Sequence, residues 1–441
     1  MVVFQSSKVS LPSSSLQTTS FLLEPNSLSL ALMHSDFSLS LYPPLSFPSL
    51  SSLPPKPQIS IPPPTSSSSF VLLRQDSDSR ALFLVASPHK GGSQILLRMY
   101  ILQNNNTFTR AQVVCSQRGL GFDSKLGVLV DVNHGVSIKI IGSVNFFVMY
   151  SVSSRKVWVF ALKLIGNGDA VKLMRCAIIE CSRPVWSISV SFGFLILGED
   201  NGVRVFNLRQ LVKGNAKKVK SSNSNGNLDR NVKLESKGSK LPNGVIGAEH
   251  HSITTSCNGL LDGKIEKLSL LVKQKSLRCR EDSSEVGAFF MSFKSKHVHG
   301  STIKAVSIQA LSSNKFVILD SIGDIHILCL STPSGGGNLR NQMMHFPHSM
   351  KVQKLAVLPD ISSRIQSFWV SDGIHSVHMM SASETEGAVS KIDGDEVEEK
   401  LMQISVIQAI FSSERVRDLV PLAGNAILVL GTGNIFTYGI P

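Results

Sequence analysis

The sequence predicts an all-β fold built by repetition, and three observations carry that expectation. A strand–turn–strand unit recurs along the chain, most clearly as FLILGEDNGVRVFNLRQLV from Phe194 to Val212. Most copies are preceded by one further alternating segment and several are followed by another, which gives four strand candidates per unit. Little convincing helical periodicity separates the units. One such unit cannot bury its own apolar face, so the copies must stack on one another.

In chain order, Leu28–Pro44 turns at His34-Ser35-Asp36, Ala81–Leu102 at the longer Pro88–Ser93, and Asn145–Leu162 at Ser153-Ser154. Phe194–Val212 turns at Asp200-Asn201-Gly202, Phe316–Leu330 at Ser321–Asp324, Phe368–Met380 at Ser371-Asp372-Gly373, and Ala426–Ile440 at Gly431-Thr432-Gly433. Asp, Asn, Ser and Gly supply the local hydrogen bonds and positive backbone angles that hairpins need. The preceding strands are Ser20–Leu23, Phe70–Arg74, Ser137–Ile141, Val185–Val190, Ile303–Leu311, Lys354–Leu358 and Arg417–Leu422. Following strands are expected at Ala111–Cys115, Lys172–Ile179, Ala288–Phe293 and Gln403–Ile410.

Four antiparallel strands per unit is the make-up of propeller blades, and seven units are present. Their second strands end near Tyr42, Arg98, Phe160, Phe206, Leu328, His378 and Tyr438, at spacings of 56, 62, 46, 122, 50 and 60 residues. The wide spacing holds an outer strand and a large insertion. The last unit lacks an outer strand, which Met1–Val3 with Phe4, or alternatively Val9–Leu11, is expected to supply. Such closure removes the one unpaired edge of the ring. It also makes the N-terminus structural, in preference to a cleaved chloroplast transit peptide. The Ser-rich, acid-poor start would suit such a peptide, but residues 1–69 hold only Lys8 and Lys56 as basic residues.

The units resemble the WD-repeat family of β-propellers. In that family the second and third strands meet at an Asp-containing turn and the third strand ends in Trp-Asp. Asp200-Asn201-Gly202 matches the turn, and Phe206-Asn207 falls where Trp-Asp would be; Phe160-Ala161 and Tyr42-Pro43 keep the aromatic and lose the acid. No copy has a true Trp-Asp, and the Gly-His dipeptide usual before the first strand is missing. The family's buried His–Ser–Asp–Trp network is therefore not carried over intact.

The expected organisation is a closing strand and first blade in residues 1–42, a Pro/Ser-rich linker in 43–69, and blades two to four in 70–212. A basic, largely disordered insertion fills 213–285, and blades five to seven occupy 286–441 with an acidic loop at 381–400. The linker holds nine prolines, which favour extended, exposed chain, either as a spacer or as a docking peptide for a proline-binding module. From Arg209 to Arg280 there are 15 Lys or Arg against five Asp or Glu, which accounts for most of the formal charge of +13. Lys213–Lys240 is almost free of large apolar residues, as disordered segments are. Lys217, Lys218 and Lys220 form a basic patch suited to nuclear import, to an acidic partner or to nonspecific phosphate contact. No aromatic lies beside them, which disfavours base stacking. The 381–400 loop is the reverse, with seven acids facing Lys391 and Lys400.

No catalytic constellation emerges. His250-His251, His297–His299, and His345 with His348 lack companion ligands at a recognised spacing. Gly335–Gly337 has no following helix and Lys-Ser/Thr, so it reads as a linker rather than a phosphate loop. Six scattered cysteines without a CxxC pair read as inert thiols. Trp186 opens an apolar strand and reads as core. Trp158 alternates out of phase with Val157 and Val159 and is the candidate contact aromatic. The longest apolar runs, such as Phe146–Tyr150, are far below the roughly 18 residues of a membrane helix. Taken together, the residues predict a non-catalytic scaffold without cofactors or metals, nuclear or cytoplasmic, that binds other proteins, acidic ones in particular. The alternative is an RNA- or chromatin-associated propeller using the insertion for phosphate contact.

Overall fold

The computed structural model describes residues 5–12, 16–75, 78–132, 135–166, 170–213, 275–278, 288–293, 302–330, 341–346, 350–359, 366–385, 390–392, 395–397 and 401–439. Seven sheets of four or more strands succeed one another along the described residues, each opening with an antiparallel meander that runs outward from its first strand, and a separate hairpin pairs Ser390–Ile392 with Asp395–Val397. The chain is a seven-bladed β-propeller. Blade 1 is Thr18–Glu24, Ser29–His34, Leu39–Tyr42 and Ile59–Ile61. Blade 4 is Ser187–Ser191, Phe194–Glu199, Gly202–Asn207 and Phe289–Ser292. Blade 5 is Ala305–Ala310, Lys315–Asp320, Ile325–Cys329 and Gln342–Phe346, and blade 6 is Lys354–Ala356, Gln366–Ser371, Ser376–Thr385 and Leu401–Phe411.

Ring closure follows the expected route. Asp418–Ala423, Ala426–Leu430 and Asn434–Gly439 form the inner part of blade 7, and Gln5–Ser10 pairs antiparallel with the last of them, placing Val9 opposite Ile435. Of the two segments proposed to close the ring, the Val9 end is thus in the strand, while Met1–Phe4 lies outside the described residues. The innermost strands of successive blades touch one another all the way round, including blade 7 against blade 1.

The core is divided as a ring requires. Seven apolar clusters each join two neighbouring blades, one for every interface. Blade 4 shows how alternation produces this. Leu195, Leu197 and Phe206 pack toward blade 3, whereas Ile196, Val203 and Val205 pack toward blade 5. Both faces of each sheet are therefore buried, and each such side chain contributes about 1.5–3 kcal/mol.

Polar side chains stitch the inner strands together. Ser67 and Ser69 accept the Ile140 and Gly142 N–H groups across the blade 2–3 junction at 3.0 and 2.8 Å. Gln309 of blade 5 uses both ends of its amide on blade 6, donating to Leu355 O (2.6 Å) and accepting from Val357 N (2.8 Å). Inner-strand backbone groups that have no ladder partner are satisfied this way.

Two expectations are corrected. Residues 43–69 are more than an exposed connector: Pro54, Pro55 and Pro62–Pro64 are exposed, but Leu45, Phe47 and Leu53 are buried in the blade 7–blade 1 core, and Ile59–Ile61 is the outer strand of blade 1. The apolar residues spaced among the prolines outweigh the loss of ladder donors. Ala111–Cys115 does not close blade 2 either. Gln112–Val114 pairs parallel with the outer strand of blade 3, Ala170–Glu180, because Val113 is drawn into the core shared by these blades. In blade 2 (Ser67–Gln75, Asp78–His89, Gln94–Leu102) that outer position is taken by Phe108–Arg110 and Gly127–Asp131. Of the basic insertion, Lys213, which ends the helix Leu208–Lys213, and the strand Lys275–Arg278 are described; the rest of Lys213–Lys240 lies outside the described residues.

Candidate functional site at the channel mouth of blades 3 to 5

In each meander the turn between the second and third strands lies on the same face of the ring as the entry to the first strand. The inner strands of blades 3 to 5, with Val357 and Pro359 of blade 6, line an axial cleft of about 480 Å³ that runs the length of those strands, and Lys139 and Trp186 border it at that face. Trp186, half-buried, stands just ahead of the inner strand of blade 4. Its Nε1–H donates to Asp200 Oδ1 at 2.8 Å. The ammonium of Lys304 lies 3.9 Å from the ring centroid, within the range at which a cation is attracted to an indole face. Lys139, from blade 3 (Ile138–Gly142), donates its Nζ to Trp186 O at 2.9 Å, and burial pushes this amine below its usual pKa.

The Asp200-Asn201-Gly202 turn positions this group. Asn201 takes the left-handed backbone (φ 60°), exchanges hydrogen bonds with Ile303 through its N–H (2.6 Å) and Oδ1 (2.9 Å), and so fastens blade 4 to the strand entry of blade 5. Gly202 is needed for a different reason, since a Cβ there would lie 2.2 Å from Met291 O of the outer strand. Asp200 is spent on the indole N–H. The mouth therefore presents two ammonium groups, a partly accessible indole and a floor of hydroxyls, a set suited to an acidic peptide.

The two tryptophans exchange their expected places. Trp158 is 4% exposed and packs in the blade 2–3 core with Phe147 and Phe160, so it offers no contact surface. Alternation could not reveal this, because a propeller sheet is covered on both faces and an out-of-phase residue is as buried as an in-phase one. Trp186 is the aromatic at the rim. Lys217, Lys218 and Lys220 lie outside the described residues. Lys139 and Lys304 escape a reading centred on turns. Their signal is positional, a lysine at the entry to an inner strand, repeated by Lys354 of blade 6.

A second polar group sits inside blade 5. Asp320 Oδ1 accepts the N–H groups of Ile322, Gly323 and Asp324 at 2.9 Å each, and its Oδ2 meets His326 Nε2 at 2.9 Å. His326 stacks on Phe293 with centroids 4.1 Å apart, and His345, in the outer strand, bonds Asp324 at 2.8 Å. Among the described residues no three His, Cys, Asp or Glu converge as a metal site. Among the described residues Cys115, Cys176, Cys181 and Cys329 form no disulfide, and burial pushes Cys176 up to about 12 and Cys329 up to about 11.

The described residues thus form a closed propeller with a lined axial cleft. No protein-family model matches the chain, and no curated protein is significantly similar to it. Among solved structures it is similar to the Cps50 (Swd1) β-propeller domain of Myceliophteria thermophila, with 8% identity over 99% of this chain and 100% of that one and a TM-score of 0.49. It is also similar to the WD40 repeats of RRP9 (10% identity, all of both chains, TM-score 0.45) and to U3-55K (10%, 98% of each, TM-score 0.43). The fold itself is read from the strand order and the seven inter-blade cores.

Proposed function

We propose that this propeller is a non-catalytic scaffold that mediates protein–protein interaction within a larger complex, and that its channel mouth takes an acidic segment of a partner. The observation that carries this reading is the half-buried Trp186 held between Lys304 and Lys139. Lys354, which opens the inner strand of blade 6 beside the Asp418 carboxyl, and Arg417, whose guanidinium donates to Thr18 O at 3.3 Å, stand at the same end of their strands. Loops on a rigid ring are where binding residues concentrate, and a cationic rim steers acidic partners toward it.

The test is affinity purification of the full chain beside a Trp186→Ala/Lys304→Glu variant and a chain lacking Lys213–Lys240, with mass spectrometry and nuclease treatment. The expected result is a partner set that survives nuclease and the deletion and falls at least about tenfold with the double substitution, a change of about 1.4 kcal/mol. Partners that persist on the variant would remove the mouth from the proposal. Partners lost with nuclease would move it to phosphate contact by the insertion.

A nuclear or nucleocytoplasmic setting rests on Lys217, Lys218 and Lys220. Alanine at all three is expected to shift a fluorescent fusion toward the cytoplasm; an unchanged distribution would withdraw the assignment.

A further inference from the structure

The turns that shape the ring also decide what one of its faces presents. Four of the turns between second and third strands carry an exposed apolar side chain: Phe37, Val152, Ile322 and Ile374, in blades 1, 3, 5 and 6. A lone exposed apolar residue needs no explanation, but recurrence at equivalent places in the blades marks a contact surface. Ile322 and Ile374 are 43% and 51% exposed, so the core gains little from either.

Blades 5 and 6 are neighbours, and their turns are joined through the strand entries between them. A Cβ on Gly323, next to Ile322, would lie 3.0 Å from Val352 N and 3.2 Å from Lys351 Cα, and one on Gly373 would lie 2.6 Å from Gln353 Oε1. Val416 N–H donates to Ile374 O at 2.8 Å, and Arg415 Nε–H donates to Gly373 O at 3.3 Å. Ile322, Lys351, Ile374 and Arg415 therefore follow one another around the rim, and both bases are exposed.

Among the described residues of blades 5 to 7, the carboxylates at this face are bonded inward. Asp372 Oδ1 accepts the N–H groups of Ile374, His375 and Ser376 at 2.8, 3.1 and 3.1 Å. Glu414 accepts from Thr432 Oγ1 at 3.0 Å and Gly433 N at 2.9 Å, and Asp418 accepts from Phe21 N at 3.3 Å. Asp320 holds its own turn and Asp324 bonds His345. Capping the turns thus consumes the negative charge, and positive charge is what faces outward. We propose, on the acidic-partner reading above, that the turn face of blades 5 and 6 carries that contact outward from the mouth. It docks an acidic segment of a partner protein whose apolar residues rest on Ile322 and Ile374 and whose carboxylates meet Lys351 and Arg415. A bilayer fits less well. A flat surface would meet all seven turns at once, and those of blades 2, 4 and 7 expose Lys90, Asn201 and Thr432.

The test titrates the full chain by fluorescence anisotropy with a labelled decapeptide alternating glutamate and leucine, and with its lysine–leucine counterpart. Methyl NMR of the isoleucines locates the contact. The glutamate peptide is expected to bind, to shift the Ile322 and Ile374 methyl signals, and to weaken at least about tenfold on Ile322→Ser/Ile374→Ser and on Lys351→Glu. All three side chains are exposed and none of these residues has left-handed backbone, so the variants should keep the parent melting temperature. Equal binding of the two peptides, or binding that leaves both methyl signals unmoved, would overturn the proposal. Full binding to the serine variant with loss on Trp186→Ala/Lys304→Glu would also overturn it, while leaving the mouth as the acidic site. Failure of the glutamate peptide to bind any form would remove the acidic-partner reading as well. Binding of phosphatidylserine vesicles, lost on the serine variant, would give the face to a membrane instead.

Discussion

Removing residues 1–10 is expected to lower the melting temperature by at least about 10 °C and to broaden the transition. The deleted strand pairs six residues with Asn434–Gly439. At about 1 kcal/mol per net hydrogen bond, that ladder is worth about 5 kcal/mol. Val9, fully buried against blade 1, adds about 2 kcal/mol, and about 2 °C is lost per kcal/mol in a chain of this size. Without the strand, Asn434–Gly439 becomes a bare edge, so the truncated protein should also aggregate on concentration. Supplying the Met1–Pro12 peptide in trans should restore part of the melting temperature. Differential scanning calorimetry of both chains decides the matter, and an unchanged transition would show that the strand does not hold the ring shut.

Asp320→Ala should be the most damaging single substitution in blade 5, at about 3–5 kcal/mol. The carboxylate holds three turn N–H groups and the buried His326 at once, and it is itself 2% exposed. Burial pushes this carboxyl up, but the bonds from His326 and from the turn outweigh it and hold it below its usual pKa. The sign of the pH dependence follows. The folded pKa lies below the unfolded one, so the stabilisation is complete above about pH 4 and is lost as pH falls through the folded value. Asp320→Asn should therefore lower stability at pH 7 and flatten the acid limb of a stability–pH curve. Chemical denaturation from pH 2 to 8 reads both effects, and an acid limb as steep as in the parent would place the titration elsewhere.

The sequence made the ring legible because its information is local. Each second-to-third-strand turn is marked by Asp, Asn, Ser or Gly, and all seven expected third strands are third strands in the structure. The outer strands were less legible, because their partners are chosen by long-range packing. Val113 joins blade 3 although it follows blade 2 in sequence, and Ile61 completes blade 1 from within a proline-rich stretch whose composition suggests exposure. The rim was harder still. Trp158 and Trp186 have similar local surroundings, and only the ring geometry decides which is sealed between blades and which stands at the mouth. The pairing of Trp186 with Lys304 joins residues 118 positions apart across a blade boundary, where no local pattern could report it.

The strand that joins the two ends of the ring also sets a timetable for biosynthesis. Residues 5–10 are translated on the order of a minute before Asn434–Gly439, at typical elongation rates. Through that interval Val9 has no sheet to enter, and Phe21, Leu30 and Leu32 of blade 1 lack the neighbour against which they finally pack. The nascent chain must keep this apolar surface from other partners until its last blade emerges. Demand for a ribosome-associated chaperone should therefore be written into the topology, and a probe on the first strand should report the final step of folding rather than the first.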